Sequence, residues 1–105
     1  MDMSKLQEML GQAQQMQSSM EQKMSETVAE ASSGGGLVTA RVNGRKELLR
    51  LRIAPGALAA SGSDVEMLED LITAAVNEAG RNADRMMQSA SQDMMGGLDL
   101  GNLLG

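Results

Sequence analysis

Residues 37–53, LVTARVNGRKELLRLRI, decide the fold of this chain. Apolar and polar side chains alternate on both sides of the dipeptide Asn43-Gly44, a pattern typical of a β-hairpin. The two-residue turn of a tight hairpin needs positive φ at both central positions, which Asn and Gly adopt most easily. We therefore expect a two-residue turn at Asn43-Gly44 that joins antiparallel strands over residues 37–42 and 45–53.

The hairpin region is also where the basic residues concentrate. Residues 34–52 carry five basic groups and one acidic group, although the whole chain has 9 basic and 14 acidic residues and a net charge of −5. The five are Arg41, Arg45, Lys46, Arg50 and Arg52. Such a cluster suits an anionic partner. A solvated strand face that protects a sheet edge accounts for the same residues about equally well.

Alternation predicts which side chains share a face of the hairpin. Arg41 should lie on the same side of the sheet as Arg50 and Arg52 if the turn has two residues. Lys46 and Leu48 should share that side. The apolar side should carry Val38, Ala40 and Val42 from the first strand and Leu49, Leu51 and Ile53 from the second.

The segment before the hairpin predicts a helix and a third strand. Apolar residues recur at intervals of three and four, as in an amphipathic helix. They are Leu6, Met9, Leu10, Ala13, Met16, Met20 and Met24. Ser4 and Gln7 have capping-box spacing, but Gly11 opposes helix by about 1 kcal/mol, so we expect dependable helix over residues 12–25. We expect a strand over residues 27–32 and then a flexible triglycine turn. The apolar positions of the helix, which we call the methionine stripe, should lie in the core or in a dimer seam.

The segment after the hairpin predicts a loop, a second helix and a tail. Residues 54–62 are small and follow a strand that Pro55 ends, which favours a loop. Ser63 and Glu66 have capping-box spacing, and the helix that they begin carries Arg81 and Arg85 on one face. Acidic residues in its first turns favour the helix dipole rather than a metal site. We expect one domain over residues 1–88 and a flexible Gly/Met/Leu-rich tail over residues 89–105.

The composition excludes several classes of protein. The chain has no Cys, His, Phe, Trp or Tyr. It therefore lacks the ligands of a zinc finger, a thiol nucleophile, a disulfide and the aromatic platform on which single-stranded nucleic acid stacks. No apolar run approaches the roughly 20 residues of a membrane span, and the first residues do not show the basic region followed by an apolar region that is typical of a signal peptide. We expect a cytoplasmic protein that is not an enzyme and has no cofactor, metal or membrane contact.

Three blocks of sequence resemble the YbaB/EbfC nucleoid-associated proteins. They are residues 12–17 (QAQQMQ), residues 36–44 (GLVTARVNG) and residues 65–79 (VEMLEDLITAAVNEA). The resemblance implies an α+β fold in two layers, with a helix, a three-stranded antiparallel sheet and a second helix. It also implies a homodimer whose protruding helices hold duplex DNA in the nucleoid, and no catalysis.

Two hypotheses about function follow. The first is a homodimer that binds duplex DNA through phosphate contacts and organises the nucleoid or regulates genes. Its candidate contact residues are Arg81, Arg85, Arg41, Arg45, Lys46, Arg50, Arg52, Lys5 and Lys23. The alternative is a dimeric protein-interaction adaptor that uses the methionine stripe or the tail and has little or no DNA affinity, because an acidic chain repels DNA at long range.

Overall fold

The described part of the chain forms three helices and one antiparallel sheet, and this arrangement confirms the predicted α+β class. The computed structural model describes residues 2–62 and 64–96. The elements are α1 (Met3–Glu26), β1 (Val28–Ser33), β2 (Val38–Asn43), β3 (Leu48–Ile53), α2 (Pro55–Ser61) and α3 (Val65–Gly96). The strand order is β1-β2-β3, so β2 is the central strand and both of its pairings are antiparallel.

The core lies between α3 and one face of β1 and β2. Val38, Ala40 and Val42 are alternate residues of β2. All three side chains point into this core and are no more than 1% exposed. Ala75, Ala79 and Ala83 on α3 are completely buried against the same cluster. Their spacing of four residues puts them on one helix face, and their small side chains let the helix approach the sheet closely.

The hairpin turn differs from the predicted two-residue form. Its loop has three residues, because the Asn43 amide donates to the Glu47 carbonyl and the Lys46 amide donates to the Asn43 carbonyl. Lys46 has φ of 65°, and Gly44 is not in the left-handed region. This is a turn closed by one left-handed residue. The Asn43 side chain stabilises it by accepting hydrogen bonds from the Arg45 and Glu47 amides at 3.0 Å each.

The longer turn changes the side chains that pair across the hairpin. A register shift between Arg41 and Val42 leaves Arg41 opposite Arg50 but puts Val42 opposite Leu48. The expectation that Leu48 shares a side with the arginines was therefore wrong, because a bulge reverses the alternation at that point. Beyond the bulge, Arg50 and Arg52 keep the side that was predicted for them.

Helix α1 is longer than predicted and has no buried residue. It begins at Met3, and its cap is Asp2, whose carboxylate accepts a hydrogen bond from the Ser4 amide at 3.1 Å. The predicted Ser4–Gln7 capping box was therefore wrong, and the helix is also formed before residue 12, where the dependable helix was expected to begin. The apolar stripe is largely uncovered within one chain, since Met3, Met9, Leu10 and Met16 are all more than half exposed.

The C-terminal end of α1 packs closely against Gly44 of the hairpin turn. The Gly44 amide donates to the Met24 carbonyl at 2.8 Å. A Cβ on Gly44 would lie 2.8 Å from the Cα and carbonyl oxygen of Met24 and from the sulfur of Met87. Glycine is therefore required here by close packing of helix on turn, rather than by positive φ.

The segment after β3 contains a short helix where a loop was predicted. Pro55 occupies the first turn of α2, where its missing N–H costs nothing, and Ala57 is completely buried. Asp64 caps α3 by accepting from the Met67 amide at 3.1 Å. Ser63, the predicted cap, lies outside the described residues.

The last helix continues beyond the predicted end of the domain. Helix α3 runs to Gly96, eight residues past the boundary at residue 88. Residues 97–105 of the predicted tail lie outside the described residues, and the division into domain and tail stays a prediction. The described part measures 69 × 30 × 17 Å. None of its helices combines the length and the apolar character that crossing a membrane requires.

Candidate nucleic-acid interface

The face of the sheet opposite α3 carries the densest group of basic side chains. Arg41 on β2 pairs with Arg50 on β3, and Thr39 pairs with Arg52. On the other side of β2, Arg41 pairs with Glu30 and Thr39 with Ser32. These six side chains line a shallow polar cavity of about 330 Å³, which we call the sheet-face pocket. The prediction that Arg41, Arg50 and Arg52 share one side of the sheet is confirmed.

Two hydrogen-bonded pairs connect β1 with β2 in this pocket. Arg41 donates to a single carboxylate oxygen of Glu30 from Nε at 2.8 Å and from a terminal nitrogen at 2.7 Å. The hydroxyls of Ser32 and Thr39 lie 2.8 Å apart. The side chain of Arg41 is therefore held in place by Glu30, whereas Arg50 and Arg52 form no ion pair with the residues that the structure describes.

Lys46 lies on the other side of the sheet. Its ammonium contacts Asp84 of α3 at 2.9 Å, and it lines a cavity with Arg81 and Gly80. The expectation that Lys46 shares a face with Arg50 and Arg52 was wrong, because the left-handed conformation of Lys46 turns it toward α3. Arg45 is exposed at the tip of the turn.

Arg81 and Arg85 form one ion-paired group with Glu78. Arg81 contacts one carboxylate oxygen of Glu78 at 2.7 Å, and Arg85 contacts the other at 3.1 Å. Arg85 also donates to the side-chain oxygen of Asn82. Hydrogen bonds from Arg81, and then from Arg85, lower the pKa of Glu78 below its ordinary value of 4.5. The predicted shared face of the two arginines is confirmed, and Glu78 reduces their combined charge to +1.

Lys23 and Arg85 line the same cleft between α1 and α3. This cleft has a volume of about 380 Å³, and Thr27, Ser89 and Asp93 contribute polar groups to its lining. Lys5 lies 18 residues before Lys23 on the same helix, about 27 Å away at 1.5 Å per residue. The candidate residues thus fall into separate groups: the sheet-face pocket, the turn, the α3 cluster and the two ends of α1.

The sequence reasoning missed the acidic partners of the basic residues. Glu78 precedes Arg81 by three positions and Arg85 by seven, so helical spacing alone indicates that pair. Glu30 and Asp84 contact Arg41 and Lys46 across long sequence separations, which only strand register and helix placement reveal. Within the described ranges, no group of three or more acidic residues is arranged to hold a metal ion.

Known proteins resemble this chain over almost its whole length. The model of the YbaB/EbfC DNA-binding family matches residues 3–98. A nucleoid-associated protein of Acidobacterium capsulatum is 56% identical over 99 residues, which cover 91% of this chain and 92% of that protein. A nucleoid-associated protein of Koribacter versatilis is 48% identical, with 90% and 92% covered. An uncharacterized protein of Helicobacter pylori has a crystal structure that matches with a TM-score of 0.70 and 27% identity, covering 90% of this chain and 98% of that one.

Proposed function

The chain belongs to the YbaB/EbfC DNA-binding family, and we propose that it binds duplex DNA as a homodimer, mainly through contacts to phosphates. The family is not enzymatic, which confirms the prediction that the chain is not an enzyme. The observation that carries the proposal is the group of three arginines on an open sheet face of an acidic chain. Phosphate contacts need such local positive potential, whatever the net charge.

The proposed contacts come from the sheet-face pocket and from the helices. Arg81 and Arg85 lie on the exposed face of α3, and Lys23 shares a cleft with Arg85. Side chains of Arg and Lys bind phosphate without reading base sequence, so the binding should be largely independent of sequence. Arg45 and Lys5 are exposed and extend the positive surface.

The proposed homodimer is supported by apolar surface that one chain leaves uncovered. Leu48 and Leu49 of β3 are about half exposed, at 48% and 50%, because α3 packs on β1 and β2. The apolar side chains along α1 are exposed as well. Apolar surface of this extent is typical of a face that another chain covers, and a second copy of the same chain is the commonest case.

The experiment that tests the proposal combines fluorescence anisotropy with light scattering. Two labelled 30-base-pair duplexes of unrelated sequence are titrated with the protein, and its mass is measured by size exclusion with multi-angle light scattering. We expect saturable binding by a dimer with similar affinity for both duplexes. A folded protein that binds neither duplex at low salt would refute DNA binding, and a monomer that binds both would refute the dimer.

The proposed location is the nucleoid, within the cytoplasm. The support for it is that the relatives are named nucleoid-associated proteins. A protein that coats DNA without sequence preference would organise the nucleoid or affect transcription there. A fluorescent fusion should follow the DNA during nucleoid compaction. Even distribution through the cytoplasm would contradict this placement.

A second candidate function is that of a dimeric adaptor for another protein. The exposed methionines and leucines of α1 favour it, because flexible Met side chains adapt to varied partners. A pull-down from nuclease-treated lysate separates this function from DNA binding. A stoichiometric protein that survives nuclease and is lost from a Met9→Gln/Met16→Gln variant would support the adaptor, and its absence would leave DNA as the partner.

A further inference from the structure

We propose that Asn43 is a modification site, at which spontaneous loss of the side-chain amide nitrogen loosens α1 from the hairpin turn. The proposal goes beyond DNA binding and does not depend on it. Deamidation is fastest where glycine follows asparagine, because glycine has no side chain to shield its backbone nitrogen. Asn43 is the only one of the four asparagines in the sequence that precedes glycine.

The chemistry at this site requires only water. The backbone nitrogen of Gly44 gives up its proton and bonds to the Cγ of Asn43. The Cγ–Nδ2 bond then breaks, ammonia leaves and a cyclic imide forms. Water opens the imide at either carbonyl, which gives aspartate or isoaspartate at position 43. The net change consumes water and releases ammonia, with no oxidant, reductant or cofactor.

The folded turn restrains both reacting groups. The Gly44 amide, whose nitrogen must attack, donates to the Met24 carbonyl at 2.8 Å. The side-chain oxygen of Asn43 accepts from the amides of Arg45 and Glu47 at 3.0 Å each, and its side-chain nitrogen donates to the Glu47 carboxylate at 2.9 Å. Asn43 is only 7% exposed, so water reaches its side chain poorly. Deamidation therefore requires the turn to open and the hydrogen bond to Met24 to break.

A carboxylate at position 43 does not fit the hydrogen bonds of the turn. The side-chain nitrogen of Asn43 is the donor in the contact with Glu47, and a deprotonated carboxylate has no donor. Two negatively charged oxygens would then face each other across the 2.9 Å that the hydrogen bond now spans, where like charges repel. This repulsion should open the turn.

Isoaspartate changes the main chain as well. Its side-chain carbon becomes part of the backbone, which lengthens the path from position 43 to Gly44. A longer path displaces the Gly44 amide, and the packing leaves no spare room, since a Cβ on Gly44 would already lie 2.8 Å from the backbone of Met24. Helix α1 has no buried residue, so its position depends on contacts at its C-terminal end such as this one. Both products should therefore loosen α1.

The first test measures deamidation of each asparagine by peptide mass spectrometry during incubation at mildly alkaline pH. The wild-type protein is compared in its folded state and in urea. Asn43 should react faster than the other three asparagines in the unfolded chain, and about tenfold or more slowly in the folded protein, because reaction must wait for local opening. Equal rates in the two states, or a faster asparagine elsewhere in the unfolded chain, would overturn the proposal.

Two matched variants test the role of the hydrogen bond to Glu47 in the folded protein. Glu47→Ala removes the acceptor of the Asn43 side-chain nitrogen, whereas Glu8→Ala removes an exposed carboxylate on α1. Deamidation of Asn43 should be faster by about threefold or more in Glu47→Ala, as the loss of one ordinary hydrogen bond implies, and unchanged in Glu8→Ala. The same rate in both variants would contradict the protection by this hydrogen bond.

The second test measures the response of α1 by amide hydrogen exchange. Asn43→Asp imitates one product, and Asn77→Asp makes the same charge change at an exposed position of α3. The Gly44 amide should exchange about tenfold faster in Asn43→Asp than in the wild type, because its hydrogen bond to Met24 is weakened, and at the wild-type rate in Asn77→Asp. Unchanged exchange in Asn43→Asp would overturn the effect on α1.

A rescue variant distinguishes charge repulsion from a general loss of stability. Asn43→Asp/Glu47→Gln exchanges the positions of the amide and the carboxylate, so that the hydrogen bond can form with its direction reversed. Exchange of the Gly44 amide should return toward the wild-type rate. Exchange that stays as fast as in Asn43→Asp would contradict the repulsion between positions 43 and 47 and overturn the proposed mechanism.

Discussion

Single residues determine how α1 joins the rest of the molecule. Gly44 lies so close to the backbone of Met24 and the sulfur of Met87 that no side chain fits between them. The Asn43-Gly44 pattern predicted a turn with positive φ at Gly44, whereas the structure requires glycine there because of this close packing. A local sequence pattern carries no information about contacts between distant segments. The packing of Gly44 against Met24 and Met87 could therefore not be predicted.

Substitution of this glycine should weaken the protein. We expect Gly44→Ala to lower the free energy of unfolding by about 1–3 kcal/mol, because the backbone must shift to relieve contacts of 2.8 Å. Urea unfolding at fixed protein concentration measures the change. Gly11→Ala is the control: Gly11 is in the interior of α1, and an added Cβ would lie within 4 Å of no atom outside the neighbouring helix backbone, so alanine there should stabilise by up to about 1 kcal/mol. Equal effects of the two substitutions would contradict this account of Gly44.

The carboxylate of Glu78 should titrate below its ordinary pKa of 4.5, because Arg81 and Arg85 stabilise its charged form. A folded-state pKa below the unfolded one means that the ion pairs stabilise the fold above pH 4.5. That contribution is lost as the pH falls through the lowered pKa. Carboxyl-detected NMR titration measures the value directly.

The matched control for this titration removes the cations. In the Arg81→Gln/Arg85→Gln variant, the pKa of Glu78 should rise toward 4.5, because its hydrogen-bonding and charge partners are gone. An unchanged pKa would show that the two arginines do not contact Glu78 in solution.

At the scale of elements, the packing of α3 on the sheet depends on a narrow row of alanines. Ala75, Ala79 and Ala83 are completely buried against β1 and β2. A larger side chain there must push the helix away from the sheet. Ala79→Leu should therefore destabilise the protein by about 1–3 kcal/mol.

Thermal and urea unfolding of two helix variants test this prediction. Ala74 lies one position before Ala75 on the exposed side of the same helix, so Ala74→Leu changes the same atoms without entering the core. It should alter stability by less than about 0.5 kcal/mol. A similar loss in both variants would contradict the placement of the core on the Ala75–Ala79–Ala83 face.

The sequence predicted the elements better than it predicted their ends and joints. Alternation and the Asn43-Gly44 signal indicated the hairpin, and the strands begin within one residue of their predicted starts in β1 and β2. Strand β3 begins three residues later than predicted, because the three-residue turn and the bulge use those positions. The short helix α2 was missed, since residues 54–62 are too few to show helical periodicity.

Part of the candidate site was also predictable from the alternation of residues along the strands. Period-two alternation survives beyond the bulge, so the shared face of Arg41, Arg50 and Arg52 followed from the sequence. The ion pair between Lys46 and Asp84 could not be predicted in this way. It depends on the left-handed conformation of Lys46 and on where α3 crosses the sheet. Ion pairs between distant segments are a property of the folded chain.

At the scale of the whole molecule, an acidic protein can bind DNA if its charges are segregated. The net charge of −5 disfavours approach to DNA from afar, but screening at physiological salt limits that repulsion to about 8 Å. Within that distance, local groups of basic side chains such as the sheet-face pocket can attract phosphates whatever the net charge. The uncovered apolar surface on α1 and β3 supports the proposal that two chains assemble into a dimer.

The dependence of DNA affinity on salt tests the central claim most directly. Fluorescence anisotropy with a labelled 30-base-pair duplex is measured at three or more salt concentrations, with the dimer confirmed by size exclusion at each. If about six phosphates are contacted per dimer, log K should fall against log salt with a slope near −5. Affinity that does not change with salt, or no binding by the folded dimer at low salt, would contradict phosphate-directed binding of DNA by this protein.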